Sequence, residues 1–117
     1  MTALERIAVA LAGLLGATGV AAAAASSHAG AALLGPYALI ALTHAPAILV
    51  FALAPLPRLF KIAMVVLTAG AVLFCADLAI RYALGVSPLR LMAPLGGLAL
   101  IAGWLLVIAG GLVGRRD

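Results

Sequence analysis

The sequence predicts an all-α integral membrane protein. Residues 1–117 form a single transmembrane domain of four antiparallel helices in an up-down bundle, with both termini in the cytoplasm. Three observations lead there. Hydrophobic residues make up 68% of the 117 positions and charged ones 9%, with a mean hydropathy of +1.35, far outside the composition of a water-soluble domain. From Ile7 to Pro57 there is no Asp, Glu, Lys or Arg, and a soluble fold of this size could not cover itself with so little polar surface. Three breaks then divide the chain into apolar stretches of roughly 20 residues, the length a helix needs to cross ~30 Å of hydrocarbon.

The first helix is expected over residues 5–26. MTALER followed by an apolar run and AAAAASS also resembles a signal peptide with an A-x-A cleavage site, but the run is as long as a full span, whereas signal h-regions are shorter; the helix is expected to be retained. The break SSHAGAALLGP carries Ser26, Ser27 and Gly30 as turn formers. Pro36 suits the first turn of the second helix, residues 36–54, because a proline there gives up no intrahelical hydrogen bond. Pro55 and Pro57 end that helix, and Arg58 and Lys61 open the third, residues 60–84. Gly85 is a natural C-cap, and Pro88, Arg90 and Pro94 lead into the fourth helix, residues 93–113. Connections this short make sequential helices antiparallel neighbours.

Arg6, Arg58, Lys61, Arg115 and Arg116 fall on the side of the N-terminus, against Arg81 and Arg90 on the other, which places both termini in the cytoplasm. The formal charge of +4 is scattered over segment ends rather than gathered in a stripe, so nucleic acid is not a predicted partner. Tyr37 and Tyr82 fall near the outer interface, where amphipathic rings are favoured. The lone Cys75 admits no intrachain disulfide.

Close packing is written into the first and last helices. Gly13, Ala17, Ala21 and Ala25 recur at four-residue spacing with Ala8, Ala12 and Gly16 as a parallel row, and the last helix carries Gly96, Gly97, Gly103, Gly110 and Gly114. Small residues let helix backbones approach, the main source of affinity between helices in lipid. Trp104, mid-helix rather than interfacial, reads as a packing residue.

Four ionisable residues lie in or beside the spans: His28, His44, Asp77 and Arg81. Such residues mark function or pair locally. Counting in from the outer ends, His44 lies ~12 Å and Asp77 ~10 Å deep at 1.5 Å per residue, and Arg81 is one helical turn above Asp77 in the favourable acid-before-base order. One reading is a structural cluster in which Arg81 neutralises Asp77 and His44 hydrogen-bonds it, with Arg81 reaching the interface. Others are a proton-handling or quinone-type site and a contact with a partner protein. Pro46 removes the backbone bond to Leu42, with Thr43 or His44 placed to satisfy the freed backbone. His28 and His44 are too weak a signal for a haem, and His28, His44, Cys75 and Asp77 include no short-spaced metal pair; no cofactor or metal is predicted. No Walker loop, Rossmann pattern or nucleophile motif occurs, so catalysis is not predicted.

The motif PLGGLALIAGWLLV, residues 94–107, is similar to the Pro-x-Gly-Gly and Gly-Trp of a family of small bacterial membrane proteins, the domain-of-unknown-function family four-two-three. The region near His28 resembles its Gly-Ala-His-Gly segment and THAPAILVFAL its Tyr-His-Ala-Leu segment. Where that pattern has Ser, Gly and Ser, this chain has Cys75, Ala76 and Asp77, and its first loop is shorter. The resemblance implies a four-helix fold in the inner (cytoplasmic) membrane, with no established enzymatic activity. The function expected is therefore a non-enzymatic accessory or scaffold subunit of a larger membrane complex, respiratory or otherwise energy-transducing, with lipids and other membrane subunits or further copies of itself as partners. The alternative is a small proton-coupled transporter, a dimer of four-helix units, in which Asp77 would do the coupling.

Overall fold

Four α-helices account for nearly all of the computed structural model, which describes residues 1–29, 31–86 and 91–114. They are α1 (Ala3–Ala29), α2 (Leu34–Leu53), α3 (Arg58–Leu84) and α4 (Met92–Val113), each long and apolar enough to cross a membrane. Gly30, Pro88, Arg90, Arg115 and Arg116, invoked above for turns and topology, lie outside the described residues.

Local chemistry sets most helix ends. At the start of α1, Thr2 Oγ1 accepts from Glu5 N at 3.1 Å and Glu5 Oε1 accepts from Thr2 N at 2.7 Å, a reciprocal capping box that satisfies two otherwise orphaned donors. The T-x-x-E pattern that announces it stands in the sequence. At its other end α1 runs through Ser26 and Ser27 to Ala29, three residues past the expected stop. Serine in a helix costs only a few tenths of a kcal/mol relative to alanine, and the preceding alanine run carries the helix on. Pro36 is the third residue of α2, where its missing N–H has no intrahelical partner to lose. Gly85 closes α3 with φ 77° and its N–H bonded to Arg81 O at 2.8 Å; a side chain would be strained in that left-handed conformation.

The links after α1 and α2 are about four residues and reach at most ~14 Å, too short to return to the start of a ~30 Å helix. Successive helices are therefore antiparallel. α1 packs on α2, α3 on α4, and α2 on α3; α1 meets α3 only lightly, and α1 and α4 do not meet. The four do not close into a ring. The core lies between α1, α2 and α3, centred on Ala12, Ala41, Ile48, Met64 and Leu67, with Leu100 entering from α4.

Of the two small-residue rows in α1, Ala8 and Ala12 are buried, and a Cβ at Gly19 would lie 2.9 Å from Leu42. Gly13 and Ala17 are exposed, and nothing comes within 4 Å of a Cβ at Gly13. Of the first row expected to pack, Gly13, Ala17 and Ala21 thus lie outside the bundle and only Ala25 packs, against Ala22, Leu34 and Ala38, because the two rows are separated by about one residue's rotation and only one can face α2 along its length. In α4 the packing glycines are Gly96, Gly103 and Gly110, at a strict seven-residue interval that keeps them on one seam. Gly97, expected to pack, has open space beside it.

Candidate functional site

The polar side chains within the spans form three separate arrangements. The first joins α2 to α4, whose backbones do not touch. His44, only 7% exposed, has its Nε2 3.0 Å from Trp104 Nε1 and its Nδ1 2.8 Å from Ile40 O. An indole N–H can only donate. Trp104 therefore donates to Nε2, and the imidazole proton sits on Nδ1 and goes to the Ile40 carbonyl. Thr43 Oγ1 lies 3.1 Å from the same Nδ1 and donates to Leu39 O at 2.7 Å. Thr43 and His44 thus bond to the carbonyls of Leu39 and Ile40, three and two residues before that of Leu42, which Pro46 deprives of its donor. Trp104 is 40% exposed; its ring lies 6.4 Å from Phe51, which in turn stacks 6.2 Å from Phe60 of α3.

The expected hydrogen bond between His44 and Asp77 is not formed: both ring nitrogens of His44 have other partners. What sequence spacing could not supply was the rotation of α4, which brings a donor sixty positions away to the imidazole. We expect Trp104→Phe, which removes the donor and keeps the ring, to destabilise the fold by about 1 kcal/mol, the usual size of a hydrogen bond between membrane helices. His44→Leu combined with it should add little, and strict additivity in a double-mutant cycle would refute the bond.

The second arrangement is Asp77 and Arg81. Asp77 is 0% exposed, and Arg81 Nη2 donates to its Oδ2 at 2.7 Å. The Arg81 side chain is 39% exposed while its Nε is buried without a hydrogen-bond partner. The guanidinium thus spans from a fully buried acid towards the surface. We expect Asp77→Ala to destabilise the bundle by about 1–2 kcal/mol, measured by reversible unfolding in micelles, and Arg81→Ala to be worse, because it takes the cation from a fully buried carboxylate whereas Arg81 left behind can turn to solvent.

The third arrangement was missed, because Lys61 was read only as a topology signal. Its Nζ donates to Phe51 O at 2.6 Å, Ala52 O at 3.3 Å and Ala54 O at 2.9 Å, and lies 2.8 Å from Glu5 Oε2. A cation at the carbonyl end of α2 meets the negative end of the helix dipole, and Glu5 ties α1 to the same point. Tyr37 also turns inward: its hydroxyl donates to Thr18 Oγ1 of α1 at 2.7 Å, and Thr18 donates to Leu14 O at 2.8 Å. His28 is exposed at the end of α1. Among the described residues no group of three or more His, Cys, Asp or Glu side chains is gathered.

Hollows open on the surface formed by the described residues. One, of about 360 Å³, runs between α1 and α3 and is lined by apolar groups and by Thr68, whose hydroxyl is already bonded to Met64 O at 2.7 Å. Another, of about 730 Å³, lies where the α2–α3 link meets the end of α4.

Fold and polar pairing together define a multi-pass membrane protein in which His44 is matched across helices and Asp77 within its own. The chain belongs to the family described as Protein of unknown function (DUF423), which it matches over residues 15–97. The match runs from within α1 to the start of α4, taking in His44, Asp77 and Gly96 but stopping short of the Gly103-Trp104 pair. No curated protein and no solved structure matches the chain.

Proposed function

We propose that the protein is a non-enzymatic accessory or scaffold subunit of a larger assembly in the bacterial inner membrane, of respiratory or other energy-transducing type, with both termini cytoplasmic. The observation that carries this reading is the pair of unpartnered helix faces. The backbones of α1 and α4 do not approach each other, and each helix turns glycine outward: Gly13 in α1 and Gly97 in α4 have open space where a Cβ would stand. Small residues on a lipid-facing surface leave room for the backbone of another helix. The polar side chains, by contrast, serve pairs within the chain. Gentle solubilisation of the native membrane followed by size fractionation tests the reading. Migration within a larger complex, lost when Gly13 and Gly97 are both replaced by Leu, is expected; a free monomer in the native membrane extract overturns it.

The proton-coupled transporter reading has one observation in its favour, the fully buried carboxylate of Asp77 in the third span. Its pairing to Arg81 at 2.7 Å counts against that role, since the guanidinium already occupies a carboxylate oxygen that a transported cation would need. Substrate flux driven by a proton gradient in reconstituted vesicles, abolished by Asp77→Asn, would establish that reading in place of the first.

A further inference from the structure

The hollow at the end of the bundle is not required by the folding of the chain. It is lined by Pro57, Arg58 and Phe60 at the start of α3 and by Gly110, Gly111 and Gly114 at the end of α4. Gly110 has a packing reason to be glycine, since a Cβ there would come 2.8 Å from the Phe60 ring. Gly111 has none: nothing lies within 4 Å of its Cβ position, and glycine within a helix costs about 1 kcal/mol relative to alanine. The open volume of about 730 Å³ falls in the range of roughly 300–1,000 Å³ typical of small-molecule sites.

Charge and position narrow the occupant. Arg58 is exposed, and no hydrogen bond or ion pair ties it to another described side chain, whereas the neighbouring Lys61 is consumed by Glu5 and by the carbonyls of α2. The sequence also runs from Gly114 directly into Arg115 and Arg116. In the same turn of α4, on its other faces, Leu112 is 82% and Val113 72% exposed, side chains that belong in hydrocarbon. The cation therefore stands at the border between acyl chains and headgroups, where phosphodiesters are concentrated. The last carbonyls of α4 have no intrahelical donors and can accept from hydroxyl groups.

We propose that this hollow binds the headgroup of an anionic glycerophospholipid of the phosphatidylglycerol type. Arg58 meets the phosphodiester, the glycerol hydroxyls donate to carbonyls at the end of α4, and the acyl chains run from the hollow into the hydrocarbon. The site does not depend on the chain having protein partners.

The test uses the full chain in neutral detergent, with retained lipid counted by native mass spectrometry after exchange against phosphatidylglycerol or phosphatidylcholine. The wild type is expected to retain phosphatidylglycerol preferentially. Arg58→Gln should weaken that retention about fivefold, the effect of one basic residue near a phosphate surface. Gly111→Leu fills the hollow and leaves Arg58 in place; it should abolish the preference while the lipid-free protein remains as heat-stable as wild type. Equal retention of both lipids by the wild type, a preference undiminished by Arg58→Gln, or one that survives Gly111→Leu overturns the proposal. So does protection from unfolding by glycerol 3-phosphate equal to that given by the whole lipid, which would make this a site for a free phosphate.

Discussion

Gly96→Ala is expected to leave the protein about 3 kcal/mol less stable than Gly97→Ala, although the two substitutions are neighbours and make the same chemical change. A Cβ at Gly96 would lie 2.7 Å from the backbone nitrogen of Phe74 and 3.0 Å from the carbonyl oxygen of Gly70. Backbone atoms cannot step aside as a side-chain tip can, so α3 and α4 must separate, and the effect falls at the upper end of the roughly 1–3 kcal/mol range for overpacking. At Gly97 the added methyl meets nothing, and the higher helix propensity of alanine stabilises by up to ~1 kcal/mol. Both variants gain the same propensity, so their difference isolates the clash. Gly103→Ala and Gly110→Ala should fall between them, since their nearest obstacles are the side chains of Leu67 and Phe60. Reversible unfolding in mixed micelles gives the order, and equal stabilities for the Gly96 and Gly97 variants would mean that the α3–α4 seam lies elsewhere.

That pair also marks where sequence reasoning stopped. The four spans followed from composition and from where proline, glycine and basic residues interrupt it, because a bilayer imposes length and apolarity on each helix. Which side of each helix faces its neighbour did not follow. A soluble helix announces its inner face by polarity, but here almost every side is apolar, so Gly96 and Gly97, or the Ala8 and Gly13 rows of α1, look equivalent until the partner helix is placed.

The polar groups divide along the same line. Asp77 and Arg81 were legible as a pair because helical geometry alone sets residues four apart on one face. His44 was assigned by depth to Asp77, whereas it bonds to Trp104; depth fixes one coordinate, and rotation of the helices fixes the rest. The Thr2–Glu5 capping box could have been read from its T-x-x-E spacing. Reading Lys61 as a topology signal gave it a side of the membrane and left its hydrogen bonds unasked for, although Lys61 is seven residues from Ala54 across a chain reversal.

Lys61→Met is the second substitution expected to act strongly, with a loss of about 2–3 kcal/mol. Methionine keeps an unbranched apolar stem and removes the ammonium. Three carbonyls at the end of α2, those of Phe51, Ala52 and Ala54, lose their donor together, and hydrogen bonds to a charged group are worth about 1.5–3 kcal/mol each before the remaining groups relax or take up water. Glu5→Gln should have the smaller effect. Lys61 then keeps its carbonyl partners, and glutamine at that position still closes the capping box with Thr2. Lys61→Arg should fall between the two, because a guanidinium fork suits paired carboxylate oxygens better than three carbonyls converging on one nitrogen. The order in unfolding free energy distinguishes a cation that caps α2 from one that matters through its ion pair. If Glu5→Gln is as damaging as Lys61→Met, the 2.8 Å contact between Lys61 and Glu5 holds the three helices together and the carbonyl bonds are secondary.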